Sequence, residues 1–125
     1  MIAAHPPPPI TMALSNERDK QLQAISVQIN AEKIAHKIVL GDLNITSWSS
    51  VFKTLLQKGG LIQAKNKEFW QNTWPSFLPQ WLGIPIDHTL ISPNIRLKDR
   101  KIITDLGSDH RAVLTQLYLG KNSCD

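Results

Sequence analysis

Four short segments combine carboxylate, amide and imidazole side chains, the groups that acid–base and metal-ion chemistry require. They are His5-Pro6, Gly41-Asp42-Leu43-Asn44, Asp87-His88 and Gly107-Ser108-Asp109-His110. The prolines that follow His5 hold the backbone extended and fix the position of the imidazole. If the chain stays extended, Asp42 and Asn44 lie on one face, where they could present a proton donor and a neutral hydrogen-bonding group to the same phosphate.

Each segment also has a purely structural interpretation. An Asp-x-Asn sequence after a strand often forms an Asx turn, and Asp87 and Asp109 can cap turns. Strand alternation places Asp87 and His88 on opposite faces, so we expect His88 to pack internally or lie on the surface, outside any site. The occurrence of all four segments in this order favours a functional site over separate structural roles.

Hydrophobic periodicity predicts the elements that position these residues. Leu22, Ile25 and Ile29 follow helical spacing, which predicts an amphipathic helix over residues 15–36 with Ser15 or Asn16 as its N-cap. The apolar run at residues 37–40 predicts a buried strand that ends at the Gly41-Asp42 loop.

A second helix is expected to begin near Ser49 or Ser50 and to stop at Gly59-Gly60. Residues 61–85 mix tryptophans with prolines and are predicted to form a long, mostly irregular loop. Strands are predicted at residues 86–91, 95–104 and 112–119. This order of helices and strands indicates an α/β fold.

Composition excludes several classes of protein. The 125 residues allow one domain, and the chain has no apolar run near the ~18 residues that a membrane span needs. The single cysteine, Cys124, excludes an internal disulfide, and no signal peptide is visible, so the compartment stays open with the cytoplasm favoured. A net charge of +4 permits a polyanionic partner without requiring one.

Taken together, the four segments resemble the endonuclease/exonuclease/phosphatase superfamily of DNase I-like enzymes. The matching pieces are His5-Pro6, Gly41-Asp42-Leu43-Asn44, Ile86-Asp87-His88-Thr89-Leu90-Ile91-Ser92 and Gly107-Ser108-Asp109-His110-Arg111-Ala112-Val113. The His5-Pro6 start and the Ile86-Asp87-His88-Thr89-Leu90 form look closest to the bacterial YafD-like branch. The resemblance implies half of a four-layer α/β sandwich, with one mostly antiparallel sheet and helices on one of its faces. Residues 1–125 would be the C-terminal portion of one domain, with residues 1–14 a strand end and proline-rich loop and residues 120–125 a tail.

The resemblance also implies catalytic roles. His110 would act as general base or phosphate contact, and Asp87 would bind its far nitrogen to fix tautomer and orientation. Asp42 would align the water nucleophile or protonate the leaving oxygen. We assign no role to Arg111, which we expect to be a surface or strand-edge arginine.

Phosphate and metal binding are implied for the remaining positions. Asn44, His5 and His110 would contact phosphate oxygens, with Asn44 and His5 counted among the catalytic residues. Asp109 would approach a divalent metal. The implied activity is metal-dependent hydrolysis of phosphoesters by activated water, with Mg²⁺ or Mn²⁺ in the intact enzyme.

The chain departs from the family pattern in length and in its metal ligands. A complete domain is about twice as long, and its first half supplies a strand-end Asn and a metal-binding Glu. Glu17, Glu32 and Glu68 are the only glutamates here, and none matches that ligand. We therefore expect a C-terminal half-domain that binds a divalent metal at most weakly by itself and shows little or no hydrolysis of a generic phosphodiester. Its exposed sheet would pair with the missing half or with a second copy.

Two alternatives remain open. The chain could be a catalytically incomplete interaction module, or pseudo-enzyme, that associates through its exposed sheet. It could also be a basic nucleic-acid-binding module that uses Trp48, Trp70 or Trp81 for stacking. One predicted strand carries four basic residues: Arg96, Lys98, Arg100 and Lys101. These side chains could contact a polyanion, although such a strand is more often a solvated sheet edge. The substrate, whether nucleic acid, phospholipid or another phosphoester, is not specified.

Overall fold

Helices and strands alternate along the part of the chain that the computed structural model describes, residues 1–67 and 71–120. In chain order the elements are β1 (Ile2–Ala3), α1 (Met12–Ala31), β2 (Ile38–Asp42), α2 (Ser50–Gly59), β3 (Ile62–Gln63), a short 3-10 helix (Gln80–Leu82), β4 (Asp87–Ile91), β5 (Ile95–Ile103) and β6 (Ala112–Leu119). This order confirms the predicted α/β class. Neither α1 nor α2 is long and apolar enough to cross a bilayer.

The strands form two sheets, where the sequence predicted one. One sheet has the order β1-β2-β4-β3, with β1 parallel to β2 and the other pairs antiparallel. The second is the antiparallel hairpin β5-β6. Ile91 and Ile95, on either side of the tight β4–β5 turn, are buried together with Leu97 and Leu117 packed against them. Burial of these side chains explains why the β5-β6 hairpin forms a separate sheet instead of continuing the first one.

The helices cover one face of the four-stranded sheet, opposite the face on which Ile91 packs with the hairpin. Val39 and Leu90 are directly paired across β2 and β4, and both are fully buried. They join the main core with residues of α1 and α2, among them Leu22, Ile29 and Phe52. The predicted placement of helices on one face of the sheet therefore agrees with the packing of the core.

The first helix begins and ends earlier than predicted. The Thr11 hydroxyl accepts a hydrogen bond from the Leu14 backbone nitrogen at 3.2 Å, so Thr11 is the N-cap in place of Ser15 or Asn16. At the other end, Ala35 is held by Asn94 and leads the chain toward the β4–β5 turn, so the helix does not continue to residue 36. The second helix agrees with the prediction, since Ser49 is its N-cap and Gly60 ends it in a left-handed conformation.

Most of residues 61–85 is irregular, as predicted, but β3 and the 3-10 helix lie within it. An isolated antiparallel bridge joins Trp74 to Ile84. The segment between them is therefore a closed loop whose ends are hydrogen-bonded to each other.

A β-bulge in β5 turns one of the four basic residues of the predicted solvated edge inward. The register shifts between Leu97 and Asp99, which leaves Lys98 as the extra residue. The shift changes which side chains face inward, so Arg100 is only 5% exposed. Arg96, Lys98 and Lys101 remain exposed.

Gly41 generates a first prediction. Its φ is +141°, and a Cβ at this position would lie 2.0 Å from the carbonyl oxygen of Ala4, the residue that follows strand β1. Gly41→Ala should therefore lower the free energy of unfolding by at least about 3 kcal/mol. Gly107 also has a positive φ, +72°, but open space around it, so Gly107→Ala should cost only about 1 kcal/mol. Urea denaturation of both variants tests this, and equal losses would contradict it.

Candidate active site

Strand register places two carboxylates side by side. Asp42, the last residue of β2, is directly opposite Asp87, the first residue of β4. Directly opposed residues of an antiparallel pair share a face, so both side chains project from the face that the helices leave uncovered. Both side chains are largely buried, with 15% and 20% of their area exposed.

His110 joins the two carboxylates from the turn before β6. Its Nδ1 lies 2.9 Å from Oδ2 of Asp87, and its Nε2 lies 3.5 Å from Oδ2 of Asp42. The Ser108 hydroxyl accepts a hydrogen bond from the His110 backbone nitrogen at 3.1 Å, which orders the turn. The Asp87 carboxylate accepts a hydrogen bond from Nδ1 of His110, so Nδ1 carries the ring proton. The other ring nitrogen, Nε2, faces Asp42.

His5 approaches Asp42 from the end of β1. Its Nε2 lies 3.5 Å from Oδ2 of Asp42, and 73% of its side chain is exposed. The Ala4 backbone nitrogen donates to the Leu40 carbonyl at 2.9 Å and holds this segment against β2. The structure thus brings His5, Asp42 and His110 around a single carboxylate oxygen.

Asn44 does not share an extended face with Asp42, as the spacing suggested. Its φ is +49°, and its backbone nitrogen donates to Oδ1 of Asp42 at 2.9 Å, which is the Asx-turn geometry. The side-chain amide of Asn44 donates to the Pro6 carbonyl at 2.8 Å. The backbone carbonyl of Asn44 accepts a hydrogen bond from the Arg18 guanidinium at 3.0 Å. Asn44 therefore ties the His5-Pro6 segment to the Asp42 turn.

Asp109 is exposed and lines the same cleft as His110. Its backbone carbonyl accepts from the Ser76 nitrogen at 2.7 Å. The metal role implied for Asp109 remains a prediction, because the residues that converge are others: ligand atoms of Asp42, Asp87 and His110 all lie within 4.8 Å of one another. Two carboxylates and an imidazole form a donor set that fits a divalent cation, Mn²⁺ in particular.

The electrostatics of the cluster raise two pKa values. Burial raises the pKa of Asp42, and the neighbouring Asp87 carboxylate adds to the rise, whereas the hydrogen bond from the Asn44 backbone opposes it. Burial works to lower the pKa of His110, but the hydrogen bond to Asp87 and the charges of the surrounding aspartates outweigh it and raise that pKa. The cluster therefore favours a proton shared among these groups.

His88 lies outside the cluster, as strand alternation predicted. It is 3% exposed on the helix-covered face, where its ring packs against Phe52 with 4.6 Å between centroids. Its Nε2 donates to the Ile45 carbonyl at 2.6 Å, and the Gln63 amide donates to Nδ1 at 3.1 Å. Both ring nitrogens are satisfied in the neutral form, and burial lowers the pKa of His88 to about 4.

The expectation that Arg111 is a surface or strand-edge arginine is wrong, because only 5% of the residue is exposed. Its guanidinium donates to the carbonyls of Pro75, Ser76 and Leu78. Its backbone nitrogen donates to the Thr73 carbonyl at 2.8 Å. Arg111 therefore fastens the irregular segment to the turn that carries His110.

Two further residues hold Asp87 through its backbone. The Thr73 hydroxyl accepts from the Ile86 and Asp87 nitrogens, each at 3.3 Å. Arg100, turned inward by the bulge, donates to the Asp87 carbonyl at 3.0 Å. Nothing in the local sequence marks Thr73, Arg100 or Arg111 for these contacts, since each depends on pairing between distant segments.

Trp48 and Trp81, two of the tryptophans proposed for base stacking, are not among the residues that line the cleft with His110. Trp48 lines a separate pocket, and Trp81 lies in the 3-10 helix; each is 63% exposed. Trp70 lies outside the described residues.

Comparison with known proteins identifies the family to which this α/β fold belongs. A model of the Endonuclease/Exonuclease/phosphatase family matches residues 4–110, so the chain belongs to that family. A search of curated proteins finds no match.

Solved structures show the same fold. An endonuclease/exonuclease/phosphatase from Bacteroides vulgatus matches with a TM-score of 0.71 and 20% identity, over 84% of this chain and 45% of that one. A mannosyl-6-phosphatase from Bacteroides thetaiotaomicron matches with a TM-score of 0.67 and 22% identity, over 88% and 48%. A functionally unknown conserved protein from Enterococcus faecalis gives 0.75 and 15%, over 94% and 49%. The chain thus spans about half the length of these structures.

The buried His88 generates a pH prediction. Unfolding restores its pKa from about 4 to 6.5, so below pH 6.5 the unfolded state takes up a proton that the folded state excludes. Stability should therefore fall as the pH drops, and between pH 6.5 and about 4.5 His88 should account for about 2 kcal/mol of the loss. His88→Gln should remove this part of the pH dependence in urea denaturation, whereas His36→Gln, at a partly exposed histidine, should keep it. An unchanged pH dependence in His88→Gln would contradict the assignment.

Arg111 generates a further prediction. Arg111→Met leaves three backbone carbonyls without their donor, and should lower the free energy of unfolding by about 2–4 kcal/mol. Arg96→Met removes the same charge from an exposed position and should change stability by less than about 0.5 kcal/mol. Urea denaturation measures both, and hydrogen exchange at the Ser76 amide should accelerate only in Arg111→Met. Equal stability of the two variants would contradict the role of Arg111 in holding residues 75–78 against the turn that carries His110.

Proposed function

We propose that this chain carries the general-base part of a metal-dependent phosphoester hydrolase that uses activated water. The observation that supports it best is the hydrogen-bonded Asp87–His110 pair with Asp42 3.5 Å away, in a member of a family of nucleases and phosphatases. Residues 1–125 are proposed as the C-terminal portion of one such domain. Within the family, the YafD-like branch stays a proposal that rests on the sequence motifs.

His110 is the proposed base. Asp87 holds the proton on Nδ1, which leaves the Nε2 lone pair to take a proton from water when the imidazole is neutral. Arg100 and Thr73 fix the Asp87 backbone and so maintain the orientation of the pair. His88 is excluded from this chemistry because both of its nitrogens are engaged on the other face.

Asp42 is the proposed partner in proton transfer. Its raised pKa suits a carboxyl group that aligns the attacking water or protonates the leaving oxygen. His5 and Asn44 are proposed to contact the phosphate. His5 is exposed on the rim beside Asp42, and the amide of Asn44 would have to leave the Pro6 carbonyl to bind it directly.

Asp42 and Asp87 would hold the divalent cation, with Asp109 as a further candidate on the rim, while the Nε2 lone pair of His110 serves as the base. When bound, Mg²⁺ or Mn²⁺ would polarise the phosphoryl oxygen and stabilise its developing charge. Two carboxylates are few ligands for a hard cation, so an additional oxygen donor from outside these residues is proposed. Glu17 and Glu32 do not belong to the group of converging ligand atoms among the described residues, and Glu68 lies outside those residues.

A non-catalytic role is the second candidate, and exposed apolar side chains on β6 favour it. Leu114, Tyr118 and Leu119 are 48%, 63% and 52% exposed. We propose that this strand associates with a second copy or with the rest of the domain. Sedimentation of the chain should show self-association that Tyr118→Lys weakens, whereas Trp81→Lys, at an equally exposed position, should not; a monomer at all concentrations would contradict this role.

The hydrolase proposal is tested first by cation binding. Electron paramagnetic resonance of Mn²⁺ should show weak binding by the chain, which Asp42→Asn and Asp87→Asn both reduce by about tenfold or more. Asp105→Asn, at an exposed aspartate in the loop before the turn, should leave binding unchanged. Equal affinity in all variants would contradict the assigned ligands.

The second test is hydrolysis of bis-p-nitrophenyl phosphate, with Mn²⁺ in excess, by the full-length domain of which this chain is proposed to be the C-terminal portion. His110→Ala should lower the rate by about 10²-fold, as expected for loss of a general base, and chelation of the metal should abolish it. His88→Gln, the matched control, should remain within a few-fold of the parent. Equal losses at both histidines would contradict the assignment of His110 as the base.

A further inference from the structure

A cleft of about 850 Å³ opens beside the Asp–His cluster. Its polar lining comprises the residues of the site together with three others: His5, Asp42, Asn44, Asp109 and His110, and Arg18, Thr46 and Ser49. The rest of its lining is mainly apolar, from the proline-rich loop and from the irregular segment before β4: Pro8, Pro9, Ile10, Trp74, Ile84 and Ile86. The volume is that of a pocket for a small molecule, since such sites run from about 300 to 1,000 Å³.

The cleft lacks the cations that a chain of phosphates would need. Arg18 is the one Lys or Arg among the described residues that line it, and its guanidinium is already committed to the Asn44 carbonyl at 3.0 Å and to Asp19 at 2.7 Å. Lys65 and Lys67 line a different pocket. Because binding to nucleic acid depends on contacts between cations and successive phosphates, this cleft does not favour a polynucleotide.

The apolar wall is formed before any ligand arrives. Trp74 and Ile84 exchange backbone hydrogen bonds at 3.2 and 2.7 Å, and Gly83 packs so closely that a Cβ there would lie 2.8 Å from the Trp74 carbonyl oxygen. On the other segment, the Ile10 backbone nitrogen donates to the Pro8 carbonyl at 2.9 Å. A preformed wall lowers the ordering cost of binding.

This wall also leaves apolar surface accessible. Ile10 is 78% exposed and Trp74 is 37% exposed, both at the cleft. We infer that the cleft takes the apolar alcohol group of a phosphoester, aryl or branched alkyl, while the phosphoryl group lies at Asp42 and His110. This inference rests on the proposed function and names its substrate class: a phosphoester with one phosphoryl group and an apolar substituent.

Paired phosphonates test the inference by binding alone. Phenylphosphonate and methylphosphonate carry the same anionic group and differ in the apolar substituent. With Mg²⁺ in excess, phenylphosphonate should bind about tenfold tighter than methylphosphonate in titrations followed by NMR. It should also shift the methyl resonances of Ile84 and Ile86. Equal affinities would overturn the inference.

Matched variants locate the preference. Ile10→Ser removes an exposed apolar group from the cleft and should lower the preference for phenylphosphonate by about threefold. Ile62→Ser removes a comparable group from β3, at 45% exposure and outside the cleft, and should leave the preference unchanged. Because Ile10 lies in an exposed loop, its replacement should not affect folding. An equal effect of both variants would contradict a role for the cleft.

Benzyl alcohol, an uncharged probe, separates the two proposals. Shifts at Ile84 and Ile86 with benzyl alcohol, without binding of either phosphonate, would keep the apolar subsite and overturn the phosphoesterase proposal. Binding of both phosphonates with equal affinity, without shifts from benzyl alcohol, would overturn the apolar subsite and keep the phosphoesterase proposal.

Discussion

The pairing of Asp42 with Asp87 across β2 and β4 is the constraint on which the site depends. Two largely buried carboxylates in register repel each other, so the fold must surround them with donors and positive charge. The contacts around the pair do so: His110 binds one carboxylate and approaches the other, and the Asn44 backbone donates to Asp42. The same demand makes the pair a natural place for a cation, so the constraint on stability and the proposed chemistry have one origin.

Local patterns were sufficient to predict much of this architecture. Helical spacing of Leu22 and Ile29, the caps at Ser49 and Gly60, and the β-branched runs gave the elements to within a few residues. Alternation along β4 was sufficient to separate Asp87 from His88. These predictions succeeded because each depends on neighbours along the chain, whose geometry the residue types largely determine.

What could not be predicted depends on pairing between distant segments. The bulge that turns Arg100 inward arises from the register of β5 against β6, and the role of Arg111 arises from carbonyls more than thirty residues away in sequence. The left-handed conformation of Asn44 follows from the Asx turn, which the spacing alone left as an alternative to an extended face. The second sheet was missed for a related reason, since burial of Ile91 and Ile95 is a property of the packed molecule.

Thr73 and Trp74 are consecutive residues with different tasks. Thr73 holds the backbone of Asp87, and Trp74 forms part of the wall of the cleft. A single peptide bond therefore links the wall that contacts a ligand to the strand end that orients the imidazole. A ligand that displaces the indole would strain the hydrogen bonds at Asp87, whereas one that fits would leave them intact. For the proposed hydrolase, a poor fit would then lower turnover in addition to affinity, because it would misalign the proposed base after binding.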